Sequence, residues 1–575
     1  MKKLLIYLRS YKLETVLGPL FKLLEASFEL LVPLVMAAII DVGIANRDRP
    51  YILWMCLLMV GLGVIGLVCS ITAQYFAARA SVGFATKLRH ALFAHVQQLS
   101  FSEMDTMGTS TLITRMSSDL NQVQSGLNLA LRLFLRSPFV VFGAMIMAFT
   151  VDVKAALIFV VTIPLLSLVV FGIMLWSIPM YQKVQGALDK VLGLTRENLT
   201  GVRVIRAFGK EQEEIRRFTD SNQQLSRLQL FVGRVTALMN PVTYVIINFA
   251  IIAVIWVGGW QVFDGILTQG EVVALVNYMS QILVELIKLA NLIISVTKAL
   301  ACARRISSVL DTTSSMKAPS QPVSPKKEAA AITFDHVSLT YRNAGAESLS
   351  DLTFSVPRGQ TLGIIGGTGS GKSSLVHLIP RFYDATAGRV LIDGVDVREY
   401  PLEQLRNKIG IVMQKAVLFQ GSIRQNLCWG QEDATEDELY QALEIAQARD
   451  FVDSKPDKLD DPVDQGGRNL SGGQRQRLTI ARALVKQPEI LILDDSASAL
   501  DFATDARLRK AIHDMAGEMT VVIVSQRASS IQHADQILVL DDGEIAGIGT
   551  HDQLLAQCPT YQEIYYSQFP KEARA

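Results

Sequence analysis

The sequence predicts a multidomain chain, with an all-α transmembrane domain of six helices followed by an α/β domain of the P-loop type. Two observations carry this prediction. Stretches without Asp, Glu, Lys or Arg, long enough to cross a bilayer, recur in the first 300 residues and then cease. From residue 332 onward short apolar runs alternate with helical stretches, and one run leads straight into a glycine-rich loop.

The membrane half comes first. Of the 575 residues, 50% are hydrophobic and 19% charged, and the charge is unevenly spread. Segments 51–78, 155–182 and 235–263 contain no Asp, Glu, Lys or Arg, and each exceeds the roughly 20 residues a helix needs to cross hydrocarbon. Segments of about 13–43, 127–151 and 271–299 carry charge near one end and complete a set of six, all within a domain spanning 1–310. An even number returns the chain to its starting side. Met1, Lys2 and Lys3 open a basic and apolar segment up to Lys12 without a small-residue cleavage site, which reads as an uncleaved interfacial helix.

Orientation follows from Lys and Arg, which favour cytoplasmic loops. Segment 181–234 holds ten of them and segment 79–115 four, whereas the short turns near Asn46, Lys154 and Asp264 hold few. The two long segments are therefore expected inside, as helical continuations of the spans. Glu25 and Glu29, four apart, share one face of a candidate span. They could face a substrate path, or lie near the inner interface beside Lys22, or pair with another helix. Glu285 and Lys288, one turn apart in the last span, could simply pair with each other. The spans otherwise read as almost charge-free, which favours a hydrophobic or amphipathic cargo over an ion.

Several function classes drop out. A net charge of +1, with no basic stripe interleaved with aromatics, argues against nucleic acid as a partner. Cys56, Cys69, Cys302, Cys428 and Cys558 lie far apart, with neither CxxC nor Cys/His spacing, so neither a disulfide framework nor a zinc site is indicated.

Residues 311–331 turn to Thr, Ser, Pro, Lys and Ala, a composition too poor in apolar surface to fold alone, and read as a linker to a domain at 332–575. Strands are expected at 361–365, 489–493, 520–525 and 536–540. Gly366, Gly367, Thr368, Gly369, Ser370, Gly371, Lys372 and Ser373 follow the first of these and fit GxxxxGK[ST]. Glycines let backbone N–H groups wrap phosphates, Lys372 neutralises phosphate charge and Ser373 reaches Mg²⁺. Ile490 to Leu493 end in Asp494, a buried strand delivering a carboxylate that suits an Mg²⁺ ligand held through water. Leu470, Ser471, Gly472, Gly473 and Gln474 open a helix; taken alone, an anion site and a plain loop with a cap fit them equally.

These three motifs in this order, behind a six-span domain, resemble an ABC exporter half-transporter over nearly the whole chain, with the second domain its nucleotide-binding domain. The resemblance implies ATP and Mg²⁺ as cofactors. Tyr341 would stack on adenine. Gly366, Thr368, Gly369, Ser370, Gly371, Lys372, Ser373, Ser374 and Gln414 would bind ATP, and Ser373, Gln414 and Asp494 would carry the metal. In this family two nucleotide domains close head to tail, so Leu470, Ser471, Gly472, Gly473, Gln474 and Asp501 would act on a partner's ATP, Asp501 within a D-loop at 498–501. Segments 206–213 and 101–111 resemble coupling helices that press on the nucleotide domains, or are surface turns.

Two departures stand out. The residue after Asp494, a glutamate in the family pattern, is Asp495, one methylene shorter, and the switch histidine is replaced by Gln526. The pattern resembles the degenerate-site subunits of heterodimeric bacterial multidrug exporters. It implies a second, homologous half-transporter as partner, contact with membrane lipid, a hydrophobic or amphipathic cargo, and a bacterial plasma membrane with the N-terminus and nucleotide domain cytoplasmic. Rival expectations are an exporter of lipid, peptide or small thiol, an ATP-gated channel or regulator, and a soluble ATPase with membrane-like core helices.

Overall fold

A computed structural model describes residues 4–316, 319, 321–326, 328–342, 344–496, 499–515 and 519–569. The chain divides into two compact units, one of residues 1–97 and 110–312, the other of 98–109 and 313–575. Part of the expected linker and Ser498 of the expected D-loop lie outside the described residues.

The first unit is all helix. A short 3-10 helix, Leu4–Tyr11, leads into α1 (Lys12–Ala38), followed by α2 (Arg49–Gln98). Helix α3 (Phe101–Met107) belongs to the second unit. Then come α4 (Thr109–Thr114), α5 (Leu120–Leu133), α6 (Arg136–Val151), α7 (Val153–Thr200), α8 (Val202–Ala207), α9 (Glu211–Ala237), α10 (Met239–Phe263) and α11 (Gln269–Asp311). Among the described residues, six helical stretches are long and apolar enough to span a membrane. Inside hydrocarbon only a helix or a closed barrel satisfies every backbone N–H and C=O, so an unbroken apolar run has no other form open to it.

At 1.5 Å per residue, the 50 residues of α2 and 48 of α7 extend about 70 Å, more than twice a hydrocarbon core. Their polar halves must continue into water. The turns joining the spans are pinned by carboxylates. Asp152 caps α7 by accepting from Ala155 N at 2.7 Å and takes Gln261 Nε2 at 3.1 Å. Asp41 accepts from Gly270 N at 2.7 Å and Thr268 Oγ1 at 2.6 Å, fixing the start of α11. Leu275, Tyr278, Met279 and Ile282 of α11 are fully buried among Ala26, Val141 and Phe159, and Tyr278 donates to Leu30 O at 2.7 Å.

Among its described residues the second unit holds two large sheets and a two-stranded ribbon of β7 (Gly421–Ser422) and β8 (Pro462–Val463). β1 (Ile332–Leu339), β2 (Leu349–Val356), β4 (Ala387–Ile392) and β5 (Val395–Asp396) form an antiparallel sheet in the order β2-β1-β4-β5. The larger sheet runs β12-β11-β3-β10-β9-β6, comprising β3 (Thr361–Gly366), β6 (Ile409–Val412), β9 (Ile490–Asp494), β10 (Thr520–Val524), β11 (Gln536–Asp541) and β12 (Glu544–Gly549). All its neighbours are parallel except β11 and β12. Each residue of β9 is buried, which is why that strand reads as an unbroken apolar run rather than an alternating one. Phe334 and Phe354 stack at 4.6 Å in the core between the sheets. β3, β6, β9 and β10 all end on one side, where ligands bind in open parallel sheets.

Candidate functional site

Beyond those carboxyl ends lies a cleft of about 460 Å³, lined among others by Thr368, Gly369, Lys372, Ser373, Gln414, Asp494, Asp495 and Gln526. Register explains the convergence, since Val524 pairs with Asp494 on one side and Ile364 on the other. The glycine-rich loop leaves β3 at Gly366, where a Cβ would lie 2.1 Å from Leu540 O, and it turns through Gly369 and Gly371 at φ of 89° and 93°. Only glycine takes that path without strain.

Lys372 starts α12 (Lys372–Leu378) and is buried; its Nζ donates to Gly366 O at 2.9 Å and Gly367 O at 2.5 Å. Burial pushes its ammonium below the ordinary lysine range, against the pull of Asp495 and Asp494. Ser373 Oγ donates to Asp494 Oδ1 at 3.1 Å. Burial raises the Asp494 carboxyl, with Ser373 and Lys372 opposing, and burial likewise raises Asp495. A cation and a hydroxyl thus rest on the chain's own oxygens. The oxygen donors Ser373, Asp494 and Gln414 suit Mg²⁺.

Asp495 sits at φ 46°, a left-handed conformation that L residues rarely adopt, with its N–H donating to Val524 O at 3.0 Å. Gln414 Nε2 reaches its Oδ2 at 3.4 Å. Gln526 is exposed, and its carbonyl accepts from Gln568 Nε2 at 2.8 Å. Both departures from the family pattern therefore border the same cleft.

Other expected residues lie elsewhere. Tyr341 donates its hydroxyl to the cleft-lining Ser374 Oγ at 3.0 Å and sets its ring edge-on to Tyr383 at 5.0 Å. Ser471 caps the helix Gly472–Val485, accepting from Gln474 N at 3.2 Å while Gln474 Oε1 accepts from Ser471 N at 2.9 Å. Gly472 faces open space. Asp501 accepts from Thr504 N and Oγ1 at 3.3 and 3.1 Å.

Sequence reasoning set segment 101–111 against a nucleotide domain, or read it as a surface turn, and did not name the side chains that meet segment 98–109. Phe101 packs on Phe382 at 4.7 Å, Tyr383 donates to Asp105 Oδ2 at 2.5 Å, and Arg342 pairs with the buried Glu103 at 3.6 Å. His377, on α12, lies against Phe382 and Tyr383 with its Nε2 buried and unpartnered. Burial holds this imidazole below its usual value, against Asp494 of β9 and Asp105 of segment 98–109. At neutral pH, folded and unfolded chains both keep it neutral. Below about pH 6.5 the unfolded chain takes up a proton that the folded domain refuses, so stability falls with decreasing pH, by at most about 1.4 kcal/mol per unit from this group. His377→Asn is expected to flatten that part of the melting-temperature profile between pH 6.5 and 5. An unchanged profile would assign the dependence to other groups.

In the first unit Lys22 Nζ donates to Glu25 Oε2 at 2.5 Å and Ser70 Oγ at 3.0 Å. Lys288 does pair with Glu285, at 2.8 Å, but Glu285 also accepts from Arg136 Nη1 at 2.5 Å and Ser137 Oγ at 2.9 Å. Arg136 Nη2 reaches Glu29 Oε2 at 2.6 Å. The expectation of almost charge-free spans is thereby corrected: Arg136 lies inside the 127–151 segment and ties three helices together. Its position among apolar residues was the overlooked signal.

Fold and cleft define a membrane protein with a P-loop nucleotide-binding domain on the same chain. The description "ABC transporter transmembrane region" matches residues 15–286, and "ABC transporter" matches 349–498. An uncharacterized ABC transporter ATP-binding protein of Mycobacterium tuberculosis is 37% identical over 98% of this chain and 97% of its own. An ATP-dependent lipid A-core flippase of Chromobacterium violaceum is 29% identical over 99% and 97%. The structure of a bacterial Atm1-family ABC exporter with ATP bound superposes with a TM-score of 0.80 at 24% identity, covering 97% of this chain and 98% of that one. The chain belongs to the ABC transporter family, and its nucleotide domain is an ATPase that binds ATP with Mg²⁺ and is coupled to transport.

Proposed function

We propose that this chain is one subunit of a heterodimeric exporter in a bacterial plasma membrane, moving hydrophobic or amphipathic compounds outward. It contributes a slow ATP site and an intact signature loop. The observation that carries this is the coincidence of Asp495 and Gln526 at one cleft, while Ser471 to Gln474 keep the family pattern outside that cleft, Ser471 and Gly472 exposed and Gly473 and Gln474 half-buried.

Lys372 would trade the carbonyls of Gly366 and Gly367 for phosphate oxygens, and Ser373, Asp494 and Gln414 would hold the metal. Mg²⁺ supplies charge neutralisation on the transferring phosphoryl group. Asp495 carries its carboxylate one methylene back from where a glutamate would hold a water. A shift of about 1 Å can cost roughly 10²-fold in rate, and loss of a positioned base about 10² to 10⁴-fold. ATP would bind here and turn over slowly, with most hydrolysis at the partner's site. The tip at 202–208, with Val204 and Phe208 60% and 75% exposed, supports a second chain, because it offers an apolar surface that this unit does not cover.

The test is ATPase activity in lipid vesicles for the chain alone and paired with a homologous half-transporter that carries glutamate and histidine at the two positions. Activity confined to the pair, and abolished when that glutamate is replaced by glutamine, is expected. Brisk turnover by this chain alone would overturn the reading. The flippase relative favours lipid as the second reading of the cargo.

A further inference from the structure

The charged cluster of the first unit has no part in nucleotide chemistry. Glu29, Arg136 and Glu285 lie well inside three of the expected spans, where each charge facing hydrocarbon costs about 2.5 to 3.5 kcal/mol. Their burial is graded. Arg136 and Glu285 are almost fully enclosed, and the Nε of Arg136 is buried without a partner. Glu29 and Lys288 sit at the two ends of the chain of contacts, and their side chains are 42% and 43% exposed. With Lys22 and Glu25 the cluster counts three positive and three negative charges, so it carries no net charge, yet its accessible ends are one carboxylate and one ammonium.

The surface leading to it differs from the accessible face of α2. On α2 that face reads Leu53, Leu57, Val60, Val64, Leu67 and Ile71, as contact with acyl chains requires. On α11 the same kind of face carries Asn277, Ser280, Lys288 and Asn291 at helical spacing, interrupted by Val284. Polar side chains at membrane depth face protein or water rather than lipid. This chain leaves the α11 face uncovered, so at membrane depth it must meet water or a second chain.

We propose that Glu29 and Lys288, held apart by the buried Arg136–Glu285 pair, form the headgroup site of the transport path, and that the cargo is an amphipath with a zwitterionic head. Each exposed end already holds one buried counter-ion, Arg136 for Glu29 and Glu285 for Lys288, so an ammonium on Glu29 and a phosphate or carboxylate on Lys288 complement the accessible side of both at once. A neutral hydrophobe complements neither, and a singly charged amphipath only one. The assignment of a cargo path rests on the transporter reading above and narrows its substrate class.

The test is equilibrium binding of fluorescent lysophosphatidylethanolamine to the full chain with its partner in nanodiscs, beside alkyltrimethylammonium and alkyl phosphate probes of equal chain length. This readout needs no ATP turnover, so failure of the slow-site reading leaves it intact. The zwitterion is expected to bind at least tenfold more tightly than either ion. Glu29→Gln and Lys288→Gln should each weaken it about tenfold, toward the singly charged probes, while Lys288→Arg restores binding. Circular dichroism and elution profile identify a variant that fails to fold, in which case Lys288→Arg and Ser280→Ala decide the matter by retention of binding. Equal affinity for all three probes, or unchanged affinity in both glutamine variants, would overturn the proposal and leave the cluster as an inter-helix brace.

Discussion

Asp495→Glu combined with Gln526→His is expected to raise ATP turnover at this chain's own site by about 10²-fold or more. The added methylene moves the carboxylate toward the phosphate end of the cleft, and histidine supplies a group able to orient it and the attacked phosphate. Each change alone should recover less than half of the logarithmic gain, because residues acting as one unit are strongly non-additive. The measurement is steady-state ATPase of the pair with the partner's own glutamate already replaced, so that only this site contributes. A double variant as slow as the parent would show that the limitation lies elsewhere, with the left-handed backbone at Asp495 (φ 46°) the first place to look.

The second large effect is structural. Arg136→Ala leaves Glu285 buried at the junction of α6 and α11 with only Lys288 and Ser137, and strips Glu29 of its cation. Removing one partner of a buried ion pair typically costs about 3 to 5 kcal/mol, since the remaining charge stays desolvated. The variant should be recovered from detergent in much lower yield, with an earlier melting transition. A triple variant, Arg136→Met with Glu285→Leu and Glu29→Gln, should restore much of the stability, because an apolar replacement of similar volume removes the desolvation penalty along with the pair. Wild-type-like melting for Arg136→Ala would mean that water already reaches the cluster.

Much of this molecule was legible in one dimension. Hydrocarbon allows a lone apolar run of that length only one backbone form, so the six helical stretches follow from composition and length. The Lys372 loop, Asp494 and the Ser471 cap could be placed because each is a local pattern tied to one strand end or helix start. The antiparallel sheet of β1, β2, β4 and β5 was less visible, since β1 and its pairings are bulged and the sheet's strands partly exposed, and only their pairing makes them a unit.

By itself, then, the sequence determined the class of the protein, the order of its two domains and the residues of the glycine-rich loop and its neighbouring strand end, because those depend on periodicity and on contiguous motifs. Only the tertiary structure decided that Arg136 joins Glu29 to Glu285 across 107 and 149 residues, that Asp105 docks on Tyr383 across 278, and that Tyr341 bonds to Ser374 across 33. These are contacts between side chains far apart along the chain. Their partners are set by how helices and strands pack, and no local pattern encodes that choice.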